Sequence, residues 1–305
     1  ALVTAVLLGG VVTLVAGVFA ECDVLFCYNP LAVYRYLFLA PLFDSFVLQE
    51  TVKNSALLLF TGLAVAVSFR AGLFNIGTQG QLVLGALAAA LAAVWVGPAA
   101  PSGTLGGVLI AVVAMVAGAV VGGVYAAIPG ALKAYADANE VITTIMLNFI
   151  ASDVAFFLVS AYFQKPDSGS VETRDVPAAA RFGPEIALAM AIVLTLLVTY
   201  LLWGTAFGYD LRTAGIQPDA ADYAGVDAKR MIVTSMTLSG AIGGLGGAVW
   251  VLMSVGRWVN GVPSLGFDGI TVSVLASNNP LGVLFAGPLF GSMQAGSLSI
   301  DFQLG

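Results

Sequence analysis

The sequence predicts an all-α fold, a polytopic transmembrane bundle of about eight to ten spans that includes broken or half-helices. Three observations carry this. Of 305 residues, 59% are hydrophobic and 9% charged, with a mean hydropathy of +0.98, whereas soluble domains carry about 25% charged residues. Several apolar runs reach the ~20 residues that cross a hydrocarbon core. The ~10-residue alternating segments of a membrane β-barrel do not occur.

Gly, Pro and charged residues divide the apolar runs into elements. The first, 1–20, is long enough to span and lacks the basic leader of a signal peptide. A polar connection then carries Cys22 and Cys27, which either pair in an oxidising compartment or remain two free thiols. The stretch "PLAVYRYLFLAPLF" (30–43) is amphipathic and suits the membrane surface. Spans are predicted at 54–69, 79–97, 104–128, 141–163, 185–204 and 231–255. The final segments, 268–277 and 281–298, are short and separated by "SNNP", which predicts half-helices or a tight bend. The whole of 1–305 reads as a single transmembrane domain.

Net charge is −6, pI is about 4.5 and histidine is absent. A basic nucleic-acid surface is excluded. So are histidine metal ligands, histidine proton relays and Ser–His or Cys–His catalysis within this chain. Two cysteines without histidine do not make a zinc site, and no metal or cofactor is expected. Charge does not orient the chain. With residue 1 inside, five basic residues (Arg70, Lys133, Arg212, Lys229, Arg230) face in and six (Arg35, Lys53, Lys165, Arg174, Arg181, Arg257) face out.

Glycine is frequent inside the apolar runs, with 36 residues in all. Gly118–Gly122, Gly240–Gly244, Gly243–Gly247 and Gly287–Gly291 are GxxxG pairs, which suit close helix packing or a subunit seam. "NIGTQGQL" (75–82) and "SLGFDGITV" (264–272) each place GxxG at the entrance of an apolar segment. They are either corresponding broken helices of an internal repeat or a chance match in a glycine-rich chain.

Polar groups at membrane depth are functional candidates because each is costly there. Asn75, Gln79 and Gln81 either satisfy backbone freed at a break or touch a solute. Asn148 and Asp153 lie within the span 141–163, while Asn139 reads as its N-cap and Glu140 complements its first turn. Asn278 and Asn279 either line a pathway or form the turn that Pro280 completes. The polar insertion 205–230 contains a short helix, opened by Pro218 and stopped by Gly225. Its Ala220, Ala221, Tyr223 and Ala224 form a small, smooth face suited to a partner's groove.

Four stretches carry a family resemblance: "GLFNIGTQGQL" (72–82), "NEVITTIMLNFIA" (139–151), "LRTAGIQPDAADYAGV" (211–226) and "GFDGITVSVLASNNPLGVLFAGPLFG" (266–291). In this order they resemble the membrane permease subunits of ABC importers. The match is to the branched-chain amino acid and simple-sugar permease branch, nearest its nucleoside and purine importers. The resemblance implies a subunit that passes a small polar solute, first a nucleoside, with a simple sugar or branched-chain amino acid as the alternative. It implies an ATPase subunit docked on a coupling helix spanning about Gln217 to Gly225 (Gln217, Pro218, Ala220, Ala221, Tyr223, Gly225), with Arg212 flanking. It places 205–230 in the cytoplasm and 164–185 outside. A second permease subunit, identical or related, and an extracytoplasmic binding lipoprotein complete the expected assembly. The pathway residues expected are Asn75, Gln79, Gln81, Asn148, Asp153, Asn278 and Asn279, and a further span is expected beyond Gly305.

The chain has no G-x-x-x-x-G-K-[ST] phosphate loop, so it is expected to be a transport subunit, with ATP hydrolysed by a separate chain. It departs from the family pattern at Gln79, where Glu is frequent, and at Gln217, where Asn is frequent. It departs again at Ala276 and Ser277, where a Leu-Gly-Arg run is common. The competing class is an ion- or proton-coupled transporter using Asp153. An intramembrane aspartyl protease would need paired aspartates, which "GFDG" around Asp268 does not supply.

Overall fold

The computed structural model describes residues 2–19 and 29–304. Cys22 and Cys27, and with them the question of pairing, lie outside the described residues. The chain forms α1 (Leu2–Phe19), α2 (Pro30–Tyr34), a π-helical turn at Arg35–Leu39, and α3 (Ala40–Phe43). Then come α4 (Ser45–Arg70), α5 (Thr78–Val96), α6 (Thr104–Ala136) and α7 (Glu140–Leu158), the last prolonged by a π-turn at Val159–Phe163. After α8 (Pro184–Gly204) stand the short helices α9 (Ala206–Ile216) and α10 (Pro218–Tyr223). The long α11 (Ala228–Trp250) continues as a π-turn, Val251–Val255, and α12 (Leu265–Leu275) and α13 (Pro280–Leu304) follow. Among the described residues 7 helices are long and apolar enough to cross a membrane, and α12 is a shorter apolar helix. The β-pairing among them is one isolated bridge, Glu172 with Val259.

The chain divides into two compact units. One comprises residues 1–55 and 288–305, where Gly296 lies against the backbone of Tyr36 and Leu37. The other, 56–287, holds the deep core. Its centre is a junction of α5, α6 and α11, whose facing positions are glycine and alanine. Any side chain at Gly244 would strike the carbonyl of Gly118, and any at Gly85 would strike the backbone of Gly244. Gly122 meets Gly240 and Gly244 in the same way. The GxxxG pairs on α6 and α11 therefore form an internal seam, where small residues let backbones touch in an environment that offers helices no hydrophobic drive to associate.

Helix ends follow local chemistry. Asn139 caps α7 by accepting from Val141 N and Ile142 N at 3.0 and 3.1 Å. Proline at the first turn opens α8 and α10. Two departures from expectation are informative. First, α6 runs to Ala136 rather than 128, because "ALKAYA" is polar enough to end a span yet rich in strong helix formers. Second, the polar insertion forms two helices, since "AFGYDLRTAGI" ahead of Pro218 also closes its backbone bonds. The 11 residues of α12 extend about 16 Å at 1.5 Å per residue, roughly half a hydrocarbon core. The half-helix expectation is met for α12 alone: α13, expected to be short as well, is 25 residues long and counts among the candidate spans.

Overpacking the glycine seam sets the first test. Gly244→Val is expected to destabilise the protein by about 1–3 kcal/mol or more, measured by thermal unfolding in micelles. Gly169→Ala, whose Cβ would meet open space, is expected to leave the transition unmoved.

Candidate functional site

The candidate site is built on two backbone breaks. The first separates α4 from α5. After Arg70 the chain turns in a Schellman pattern, with Leu73 N donating to Ser68 O at 3.0 Å and Gly72 N to Phe69 O at 3.1 Å. Gly72 has φ +69, the left-handed region in which glycine is unstrained. The chain then enters the core without helical bonds, and Asn75 supplies what is missing. Its Oδ1 accepts from Gly77 N at 3.0 Å and from Gln81 Nε2 at 3.0 Å. Its Nδ2 donates to Gln81 Oε1 at 3.1 Å and to Ser239 Oγ at 2.8 Å. All four hydrogen-bonding positions of this fully buried amide are thus used inside the protein. Ser239 on α11 passes its own proton to Ala64 O on α4 at 2.6 Å.

Asn148, midway along α7, closes the break from the other side. Its Nδ2 donates to Ile76 O at 2.9 Å, and its Oδ1 accepts from Gly80 N at 2.8 Å. Asn75 and Asn148 therefore carry irregular backbone, with Gln81 pairing the Asn75 amide, in a buried setting where each unpaired peptide group would cost several kcal/mol.

The second break lies before α12, and Gln79 joins the two. Its Nε2 donates to Pro263 O at 2.9 Å and its Oε1 accepts from Gly266 N at 2.8 Å. Gly266 sits so close that a Cβ would collide with the backbone of Thr78 and Gln79. The two GxxG stretches singled out in the sequence thus meet, with the starts of α5 and α12 in contact. The departure from Glu at position 79 also gains a reason: the amide donates and accepts at once, which a carboxyl does only when protonated.

The turn between α12 and α13 follows the same economy. Asn278 N bonds Ser273 O at 2.8 Å and Ser277 N bonds Val274 O at 2.9 Å, a second Schellman pattern. Here the left-handed residues are Ser277 (φ 52) and Asn278 (φ 56). Asn278 Oδ1 accepts from Ser273 Oγ at 3.1 Å, and Asn279 Oδ1 accepts from Leu281 N at 3.1 Å as the cap of α13. Both asparagines serve the turn.

Asp153 differs from these amides. It sits on the exposed face of α7, and no hydrogen bond or ion pair from a described residue reaches it. The α9–α10 pair differs too. Ala221 is fully buried among Ala214, Val226, Ala228 and Met231, so the expectation that it forms part of an outward face is corrected. A six-residue helix seats one side on its neighbour, and Ala221 is the residue on that side. The outward residues are Ile216 (85% exposed), Gln217, Pro218, Ala220 and Tyr223 (95% exposed). Arg212 Nε donates to Gly208 O at 3.3 Å, and Gly225 ends the pair with φ +84.

Residues 47–303 match the family described as "Branched-chain amino acid transport system / permease component". The chain belongs to that permease family. It is 33% identical to the nucleoside ABC transporter permease protein NupB of Lactococcus lactis, over 97% of this chain and 82% of that protein. It is also 33% identical to the guanosine ABC transporter permease protein NupP of Bacillus subtilis, over 86% of this chain and 76% of that one. A haloarchaeal relative, the glucose ABC transporter permease protein TsgB13 of Haloferax volcanii, is 30% identical over 91% and 76%. No solved structure matches with significance. The protein is thus a transport subunit and a multi-pass protein of the plasma membrane.

At the end of the permease away from α9 and α10, residues 164–183 pair with 256–260. Thr173 N donates to Trp258 O at 3.0 Å and Val176 N to Gly256 O at 2.8 Å. Arg257 reaches Glu172 and Asp175, each at 2.9 Å, and Lys165 reaches Asp175 at 2.6 Å. Burial works to raise the Glu172 carboxyl, but hydrogen bonds from Ser168 and Ser170 and the charges of Arg257 and Lys165 outweigh it and hold it below its ordinary value. The Lys165 hydrogen bond, then that of Arg257, holds Asp175 below its own.

Among the described residues no group of three His, Cys, Asp or Glu is placed to hold a metal. Sequence reasoning missed Ser239 and the inward role of Arg70. A hydroxyl beside glycine in "TLSGAIGG" (237–244) was the available signal for Ser239.

Two outcomes are expected. Asn148→Leu strands the buried Gly80 N–H and Ile76 carbonyl, at roughly 1–3 kcal/mol each, which thermal unfolding will report. For the outer clamp, both carboxyls are depressed, so their contribution is full above the ordinary values of 4.5 and 3.8 and is lost as pH falls through the lower folded values. Hydrogen-exchange protection of the Thr173 and Val176 amides is expected to hold at neutral pH and to drop in that acid window.

Proposed function

We propose that this permease subunit passes a nucleoside across the membrane as part of an ATP-driven importer. A separate ATPase chain docks on the α9–α10 pair, and an extracytoplasmic binding protein delivers the solute to the opposite end. A second permease subunit, identical or related, completes the pathway, and the chain acts as one transmembrane domain. The observation that carries the docking reading is the outward pair Ile216 and Tyr223, 85% and 95% exposed on two short helices. Large apolar groups presented this way on a small helix suit a groove in a partner. Docking there makes the α9–α10 end cytoplasmic.

For the solute, support comes from the two relatives named for nucleoside and guanosine transport. A sugar is the second reading, favoured by the relative named for glucose. Within the pathway Asp153 is the group that meets solute or water, since an exposed carboxylate on a membrane helix requires a polar surrounding. The buried amides Asn75, Gln79, Gln81 and Asn148, with the turn residues Asn278 and Asn279, frame the pathway as its fixed joints.

Uptake by the complete transporter, competed with guanosine, ribose, glucose and leucine, tests the solute. Guanosine is expected to compete most strongly, and competition by glucose alone would replace nucleoside with sugar. Tyr223→Asp is expected to abolish copurification of the ATPase while the permease remains folded; normal assembly would remove α10 from the interface. Asp153→Asn should lower uptake with expression intact, and unchanged uptake would remove it from the pathway.

A further inference from the structure

Arg70 ends α4 and does two things at once. Its Nε donates to Asn278 O at 2.7 Å and its Nη2 to Ser277 O at 3.1 Å. These are successive carbonyls of the left-handed turn that ends α12. Non-glycine residues in that region are strained, and a helix C-terminus carries partial negative charge. A planar guanidinium answers both, because its rigid fork reaches two carbonyls together, whereas an ammonium is a compact point charge whose three donors leave one atom. Arg70 also lies over the ring of Trp203, with Cζ 5.4 Å from the centroid. Arg212 of α9 lies over the same ring at 5.6 Å. One residue beyond Ala71, the backbone of Gly72 touches that of Gly215, also on α9, and neither position has room for a Cβ.

These contacts form a continuous route. α9 bears on Ala71 and Gly72 and, through Trp203, on Arg70. Arg70 grips one end of α12, and the other end of α12 abuts Gln79 at the buried crossing. α12 is short, 11 residues, and one continuous helix links these two joints. A cavity of about 300 Å³, lined among others by Phe69, Arg70, Arg212, Ile216, Ser277 and Asn278, leaves space beside the grip.

We propose that Arg70 is a positioning residue that ties the α9–α10 pair to α12, so that displacement of the pair by the ATPase is delivered to the crossing of α5 and α12. This rests on the reading of α9–α10 as the ATPase contact.

The test uses the complete transporter in proteoliposomes, with ATPase copurification, ATP hydrolysis and solute uptake measured separately. Arg70→Gln is expected to leave copurification unchanged and to keep hydrolysis within about twofold, while uptake falls about tenfold, within the usual range of coupling between sites. Arg70→Lys should fall between. Should Arg70→Gln fail to assemble, Trp203→Leu, which removes the stack and spares the turn, is expected to show the same split. Hydrolysis and uptake falling in parallel, or an unchanged ratio, would overturn the proposal. Failure of the docking reading shows elsewhere, as normal ATPase assembly in Tyr223→Asp.

Discussion

A peptide group at membrane depth must find a partner inside the protein, and this constraint organises the molecule. α5 and α12 both begin below the surface, so their first N–H groups and the chain leading to them have no helical acceptors. The protein answers with side-chain amides: Gln79 and Asn148 each bridge two backbone groups, and Asn75 holds Gly77 N while pairing with Gln81 and Ser239. Asn75, Gln79, Gln81 and Asn148 sit within seven residues of a break or directly across from one. They convert two interruptions into one fixed crossing.

Once that crossing is fixed, the rest has a clear division of labour. The glycine seam of α5, α6 and α11 holds the frame by backbone contact. The paired loops at one end are clamped by Arg257, Lys165 and their carboxylates, and the helices α9 and α10 stand out at the other. A transporter needs rigid bodies joined at few places, and discontinuous helices meeting at depth are where such proteins build their joints. Gly266 against Gln79 is such a meeting point, with contact through backbone and one amide.

Much of this was legible in the sequence, because the relevant signals are local. Apolar run length placed the spans, Asn139 marked the start of α7, and Pro218 with Gly225 bracketed α10. The two GxxG stretches were visible as helix entrances, though not as each other's partners. That pairing joins residues 187 apart, and nothing in either stretch encodes the distance. The grip of Arg70 on residues 277 and 278 was hidden for the same reason, since its acceptors are backbone carbonyls that any residue would supply. Ala221 was misplaced because a six-residue helix is too short for periodicity to reveal its buried side. For Asn75 the side of backbone support is favoured by four simultaneous bonds inside the protein, which the sequence does not display.

The central claim is that the Asn75–Gln81 pair is a structural joint. A double-mutant cycle on Asn75→Ala and Gln81→Ala, read by unfolding free energy in micelles with uptake measured alongside, tests it most directly. A joint gives a coupling energy of about 0.5–3 kcal/mol, with the solute KM of the stable single variants unchanged. Coupling near zero together with a shifted KM would contradict it and move both amides into contact with the solute.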